Sequence, residues 1–281
     1  MSTNIIYCYS GGGNCLDMAK NIARELGDTD IVMMRSFPVK TDATEAKRVG
    51  FVFPCYGGGL PGGVEESVRA IRISPDAYTF GIVQCAGYIG TGLYKINQIH
   101  KLDYWNSVTH QSACIWLMPH TLMFPPMTAD KAQTRSEEKA KAFSADIKAM
   151  KLTGKEPPRR SLNAAESAAF PLVIRLKAKQ YRVSTACVGC GTCERVCPRQ
   201  NIRVVRGRPY FGDDCIGCLS CVQFCPKAAI NVGKVTEKRE RYPTPGSPWG
   251  RSQPPSFTSI EPSIICRQLE RKRLLRQALS L

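Results

Sequence analysis

The chain has 281 residues, long enough for two domains with real cores, and its 43% hydrophobic and 22% charged content is that of a globular protein. No window approaches the ~18 uninterrupted apolar residues that span a bilayer, and the N-terminus has no basic segment leading into an apolar run; a cytoplasmic protein is expected. The formal net charge of +16 is unevenly spread, with 15 Lys and Arg against 14 Asp and Glu (net +1) in residues 1–150, and 24 against 9 (net +15) in residues 151–281.

The first half alternates strand and helix signals. Asn4 to Tyr9 is apolar and β-prone, a glycine turn follows, and Leu16 to Leu26 has helical periodicity. Ile31 to Met34 and Val49 to Phe53 predict the second and third strands. Helices are expected over Val64–Ile71, Leu93–His100 and Ala129–Lys151, with strands at Tyr78–Cys85 and Val108–Leu117. Such alternation predicts a doubly wound, five-stranded parallel sheet covered on both faces. Ligands in these sheets bind beyond the carboxyl ends of the strands. Three glycine-rich loops fall there: Ser10–Cys15, Pro54–Gly59 and Cys85–Gly92. Glycine lets backbone amides approach a ligand closely.

The first loop, "YSGGGNC", has neither the G-x-G-x-x-G nor the G-x-x-x-x-G-K spacing. Placed directly ahead of a helix, it resembles the flavodoxin phosphate loop. The resemblance implies that Ser10, Gly11, Gly12, Gly13, Asn14 and Cys15 surround the phosphate of FMN. Residues Pro54, Cys55, Tyr56, Gly57 and Gly58, with Cys85, Ala86, Gly87, Tyr88 and Gly90, would then flank the flavin ring, Tyr56 and Tyr88 being available to stack on it. Gly12 and Cys15 stand where flavodoxins prefer hydroxyl side chains, which leaves Ser10 as the cradle's one side-chain hydroxyl; backbone amides and the helix N-terminus remain as donors. Of the three histidines, His100, His110 and His120, the last follows the fifth strand and is a candidate for the crevice, with an ordinary surface position as the alternative.

Eight of the fourteen cysteines lie in residues 187–225. "CVGCGTCERVCP" and "CIGCLSCVQFCP" repeat one motif at an interval of 28 residues. The spacing C-x-x-C-x-x-C-x-x-x-C-P is the run of two-cluster bacterial ferredoxins. Two-residue loops bring three thiolates to one cubane, and the proline sends the fourth cysteine across to the other. One 4Fe-4S cluster is therefore assigned to Cys187, Cys190, Cys193 and Cys225, the other to Cys215, Cys218, Cys221 and Cys197. Zinc sites pair two C-x-x-C knuckles and require neither the third cysteine nor the C-P step. Ile202, Val204, Val205, Pro209 to Phe211, Ile216 and Ile230 are expected to cover the clusters. The remaining cysteines, Cys8, Cys15, Cys55, Cys85, Cys114 and Cys266, read as small buried hydrophobes. A basic half ordinarily suggests nucleic acid or an acidic membrane. Two clusters with eight thiolates would contribute about −4 to that half, and no nucleic acid is expected.

Residues 1 to about 240 together resemble the flavodoxin–ferredoxin fusion proteins of anaerobic prokaryotes, the iron–sulfur flavoproteins. The organisation expected is a flavodoxin-like FMN domain over 1–151, a basic segment over 152–181 that packs on its neighbours, a small α+β ferredoxin domain over 182–235, and a basic Pro/Ser-rich tail over 236–281 that is expected to be disordered. The resemblance implies electron transfer between two 4Fe-4S clusters and FMN, with redox partner proteins, some of them acidic, docking on basic segments. Two alternatives stay open: a reductase of a quinone or nitro compound fed by the clusters, and an iron–sulfur protein whose flavodoxin-like half only docks partners. No acid–base catalytic constellation is called for, so enzymatic turnover is left undecided.

Overall fold

A computed structural model of the chain describes residues 2–112, 114–116, 128–160, 164–239 and 241. Its centre is a parallel sheet in the order β2-β1-β4-β6-β7, built from β1 (Asn4–Cys8), β2 (Thr29–Met33), β4 (Arg48–Pro54), β6 (Tyr78–Cys85) and β7 (Tyr104–Thr109). This is the flavodoxin-like order, with its switch point between β1 and β4. All eight residues of β6 and five of the seven in β4 are buried. Strands covered on both faces have no solvent side, which is why these segments read as continuous apolar runs.

Side chains of β1 divide the core by simple alternation. Ile5, Tyr7 and Tyr9 join Val64 and Val68 of α2 (Val64–Ala70) and Leu93 and Ile96 of α3 (Gly92–Asn97) on one face. Ile6 and Cys8 meet Met18 and Ile22 of α1 (Asn14–Leu26) and Ala140, Phe143 and Ile147 of α4 (Ala129–Lys148) on the other. Thr128 caps α4, its hydroxyl accepting from Lys131 N. Two short strands, β3 (Asp42–Ala43) and β5 (Arg72–Ile73), pair beside the sheet.

The fifth strand starts four residues earlier than the apolar run suggests. Tyr104–Thr109 takes register with Phe80–Cys85 of β6, and Tyr104 and Val108 supply its inward face. Ile115 and Trp116 are buried elsewhere, against the cysteine-rich region. Their hydrophobicity serves a second core, so it lengthened the apparent strand. Leu117, His120, the tail from Tyr242 and Cys266 lie outside the described residues.

The segment after α4 contains α5 (Ala164–Ala178), and β8 (Tyr181–Val183) pairs antiparallel with β11 (Ile230–Val232). Between these lie α6 (Thr192–Val196), the hairpin of β9 (Ile202–Val205) and β10 (Arg208–Phe211), and α7 (Ser220–Gln223). The sequence duplication is a structural one: α6 corresponds to α7 and β9 to β11 at the same 28-residue offset. Tyr181 belongs to this unit, and so does Thr236, whose hydroxyl accepts from Val232 N at 2.8 Å. The fold is thus an α/β sheet domain followed by a small α+β unit. No helix among the described residues is long and apolar enough to cross a membrane.

Gly50 sits in mid-β4 under the ring of Phe80, where a Cβ would collide with the ring atoms. Overpacking of this kind costs about 1–3 kcal/mol. Gly50→Ala is expected to lower the unfolding free energy by that amount, measured by urea denaturation.

Candidate functional site

The eight clustered cysteines fall into two groups, and each group lines its own void. Cys187, Cys190, Cys193 and Cys225 surround one, together with Val188, Val204, Pro209 and Ile230. Cys197, Cys215, Cys218 and Cys221 surround the other, with Tyr181, Ile202, Phe211 and Ile216. The crossed grouping is the one assigned from the spacing. In each void the sulfurs sit around the wall; among the described residues no three His, Cys, Asp or Glu side chains close on a single point as one metal ion would demand.

Local hydrogen bonding repeats with the duplication. Asn201 N donates to Cys197 Sγ at 3.3 Å and Ala229 N to Cys225 Sγ at 3.2 Å. Ser220 Oγ, 3.3 Å from Cys218 Sγ, gives its one proton to Gly11 O, whereas the Thr192 hydroxyl lies 3.3 Å from Cys190 Sγ and is placed to donate to it. Such donors stabilise sulfur carrying negative charge. Burial opposes them, pushing Cys193 up to about 11 and raising the Cys221 thiol as well. Thiols this buried stay protonated unless a cationic core offsets the desolvation, and a 4Fe-4S cubane supplies such a core. The residues therefore fit two cubanes.

The voids differ in exposure. Cys190 is exposed and Val188 beside it is 62% exposed, whereas Cys221 is 7% exposed and its void abuts the sheet domain. Cys190 feels some burial, but the hydroxyl and amide of Thr192 and the nearby Arg195 bring its thiol below the ordinary value.

A crevice of about 740 Å³ opens at the carboxyl ends of β1, β4, β6 and β7. The three glycine loops converge on it. Ser10, Gly11, Gly12, Asn14, Cys15, Pro54, Cys55, Tyr56, Gly57, Gly58, Cys85, Ala86, Gly87 and Tyr88 are on its wall. Gly13 and Gly90 stand just behind. Gly13 begins α1 at φ 105° and donates its N–H to Ser10 Oγ at 3.1 Å, and Gly90 packs on the carbonyl of Gly58. No side chain caps α1, so its amino end is left to face the crevice. Among the described residues no Lys or Arg lines the wall. A phosphate here would be held by backbone dipoles and neutral side chains, as glycine-rich loops at helix N-termini do. The crevice fits FMN in volume, in loop chemistry and in its place at the switch point.

Residues that the sequence did not mark complete the wall. His110, Gln111 and Ser112 follow β7. Asn14 Nδ2 lies within hydrogen-bond distance of His110 Nδ1, at 2.9 Å. Burial drives the His110 imidazole down to about 4. From α5 come Glu166, Ala169, Phe170 and Val173. The Tyr88 hydroxyl donates to Glu166, and the Phe170 ring lies over Gly57 where any Cβ would strike it. The signal for α5 was the apolar stretch "FPLVI", which is unsuited to a tether. The last part of the wall is Gly217, Cys218 and Leu219, from the second cysteine motif.

Residues 186–230 match the family described as a 4Fe-4S dicluster domain. Solved structures similar to the sheet domain include an FMN-dependent NADH-azoreductase from Bacillus anthracis in complex with FMN, at 8% identity over 52% of this chain and 99% of that one (TM-score 0.37). An NAD(P)H:quinone oxidoreductase from Methanothermobacter marburgensis matches at 8% identity over 52% and 96% (TM-score 0.34), and a second azoreductase from Bacillus anthracis at 11% over 50% and 98% (TM-score 0.35). A search of curated proteins found no match. The chain thus combines a flavodoxin-like parallel sheet with a C-terminal segment that matches a 4Fe-4S dicluster family.

The His110 ring is neutral in the native state below the pH at which an unfolded histidine charges, near 6.5. A depressed pKa leaves stability intact above about 6.5 and removes it as pH falls toward 4. His110→Gln is expected to flatten the loss of unfolding free energy across that window, measured by denaturation at a series of pH values. An NMR titration of the wild-type ring should show no protonation down to pH 5.

Proposed function

We propose that the chain relays electrons between two 4Fe-4S clusters and an FMN seated in the crevice. A cluster moves one electron at a time and a flavin stores two, so the pair interconverts one-electron supply and two-electron capacity. The observation that carries the reading is Cys218, a thiol of the inner set that is also on the crevice wall. Its backbone is in close approach to Gly11 of the first loop, where an added Cβ would lie 2.9 Å from Cys218 O. Inner thiols and flavin loop thus share an atom layer, with no intervening residue to cross.

The chain's own residues divide the work by position. Cys187, Cys190, Cys193 and Cys225 would hold the outer cluster, next to solvent at Cys190. Cys197, Cys215, Cys218 and Cys221 would hold the inner one. Ser10 to Cys15 would orient the phosphate, and Pro54–Gly58 with Cys85–Tyr88 the ring. Phe170 and Val173 cover the crevice from the α5 side and exclude water there. That cover favours a carrier over a reductase, since it occupies wall that a stacked acceptor would need.

The outer cluster would be the entry point. Around it Arg206, Arg208 and Lys227 are exposed, beside Val188 and Val205 at 62% and 50%. A basic rim around an apolar patch suits an acidic protein that carries single electrons, because rim charge steers encounter.

Anaerobically purified protein, with iron, sulfide and flavin quantified after acid release, is expected to contain both cofactor types, or to take up FMN on incubation. Iron without flavin under both conditions would instead favour a sheet domain that only docks. Reduction by an acidic protein donor should slow as salt rises, and Arg206→Glu with Arg208→Glu should slow it several-fold at low salt with cofactor content unchanged, followed by stopped-flow absorbance.

A further inference from the structure

Tyr9 follows directly on β1 and carries its ring into the seam between the sheet and the cysteine-rich unit. It is 1% exposed, and its buried hydroxyl makes no close hydrogen bond, the Cys218 thiol and the Tyr56 hydroxyl being the polar groups nearest to bonding reach. The neighbours that act on it most strongly are Cys218 and the hydroxyl of Tyr56. Tyr56 in turn stands edge-on to Tyr9, ring centroids 6.0 Å apart, and its hydroxyl and the Cys218 carbonyl both crowd the position of Gly11. The Tyr9 hydroxyl is therefore beside the inner set of thiols with a proton to give.

Arg35, two residues past β2, adds a cation. Tyr9, Cys218, Cys8 and Cys197 act on its guanidinium, so it lies near two of the four inner thiols. The loop that carries it is fastened to the same place: Ser36 N donates to Pro198 O at 2.8 Å, Gln200 Nε2 donates to Ser36 Oγ at 2.8 Å, and the Arg199 guanidinium covers the Phe37 ring. The outer void receives nothing from the sheet domain: its wall is drawn wholly from residues 187–230, and the cations beside its thiols, Arg195 at Cys190 and Arg241 at Cys225, belong to the cysteine-rich half.

We infer that Tyr9 and Arg35 are positioning residues through which the sheet domain sets the reduction potential of the inner cluster alone: the Tyr9 O–H donates to Cys218 sulfur, and Arg35 holds positive charge beside Cys197 and Cys218. Reduction adds an electron to the cluster, so a donor at its sulfur and a cation nearby favour the reduced state and raise its potential. The cluster nearer the flavin becomes the better acceptor, which gives the relay a downhill inward step. This inference rests on the two-cluster part of the relay reading and not on FMN.

The test is a redox titration of anaerobically loaded full-length protein, monitored by EPR, for wild type, Tyr9→Phe, Arg35→Gln and Arg35→Lys. Tyr9→Phe and Arg35→Gln should each move one midpoint, the same one, to more negative potential, leaving the other midpoint and the iron and sulfide content unchanged. A shift equivalent to about tenfold in the reduced-to-oxidised ratio is ~59 mV for one electron. Arg35→Lys should restore most of its share. Two unmoved midpoints, two that move together, a shift to more positive potential, or loss of both clusters from both variants would overturn the inference. Wild-type protein with two titrating clusters and no flavin would sink the relay and leave this result standing.

Discussion

The architecture depends on one close approach between two backbones. Ser220 Oγ donates to Gly11 O at 2.8 Å in a buried position, and the carbonyl and Cβ of Cys218 lie against the same glycine. Gly11 belongs to the first loop of the sheet domain, and Ser220 opens α7, which follows Cys218 and carries Cys221, the third cysteine of the second motif. Only a residue without a Cβ lets the two chains come this near. A carbonyl in a glycine-rich turn also has no strand partner, so the serine hydroxyl satisfies a group whose orphaning would be costly. The contact joins the candidate flavin loop to the candidate cluster loop through a hydrogen bond.

Helix α5 reinforces this arrangement from outside. Phe170 reaches the second glycine loop at Gly57, and Ile174 reaches Gly217 of the second cysteine motif. One helix thus lies on both units, and glycine on each side makes the room. Ile216, from the cysteine motif, meets Gly62 ahead of α2 in the same manner. Ring or branched side chain over glycine, repeated across the seam, gives dense packing that would strain with any added methyl. The seam is built as core, with Ile216 and Cys218 packed against the sheet's own hydrophobic cluster. Distances between redox groups in such a seam are fixed by covalent geometry and packing rather than by a flexible linker.

Much of this was legible in the sequence, for reasons that differ by region. The cysteine motifs carry their geometry in their spacing, because two-residue loops and the C-P step leave few ways to surround a void, and the eight cysteines line two voids in sets of four. Parallel strands such as β6 were legible because burial on both faces writes an unbroken apolar run. The strand at β7 was misjudged where Ile115 and Trp116 answer to a different core. Long-range neighbours left no local mark: Tyr9 reads as the end of a strand, Arg35 as a loop cation and His110 as one histidine among three. Their roles come from the cysteine unit or from Asn14 arriving opposite them in space. Tyr181 likewise carries no local mark of its place, since it pairs with Val232 far along the chain.

The distribution of charge follows from these placements. Cys8, Cys15, Cys55 and Cys85 gather at the strand ends, and burial raises every one of their thiols, Cys55 to about 12. His110 is held neutral by the same cause. The crevice is consequently lined by uncharged groups apart from Glu166 at the α5 side. Cations are placed elsewhere, Arg35 at the seam and Arg206, Arg208 and Lys227 around the outer thiols. A quiet interior makes an added electron sensitive to the few fixed charges near it, because low dielectric strengthens each interaction. Fixed positive charge thus sits at the seam and around the outer thiols, while the wall of the crevice is left to backbone dipoles and neutral side chains.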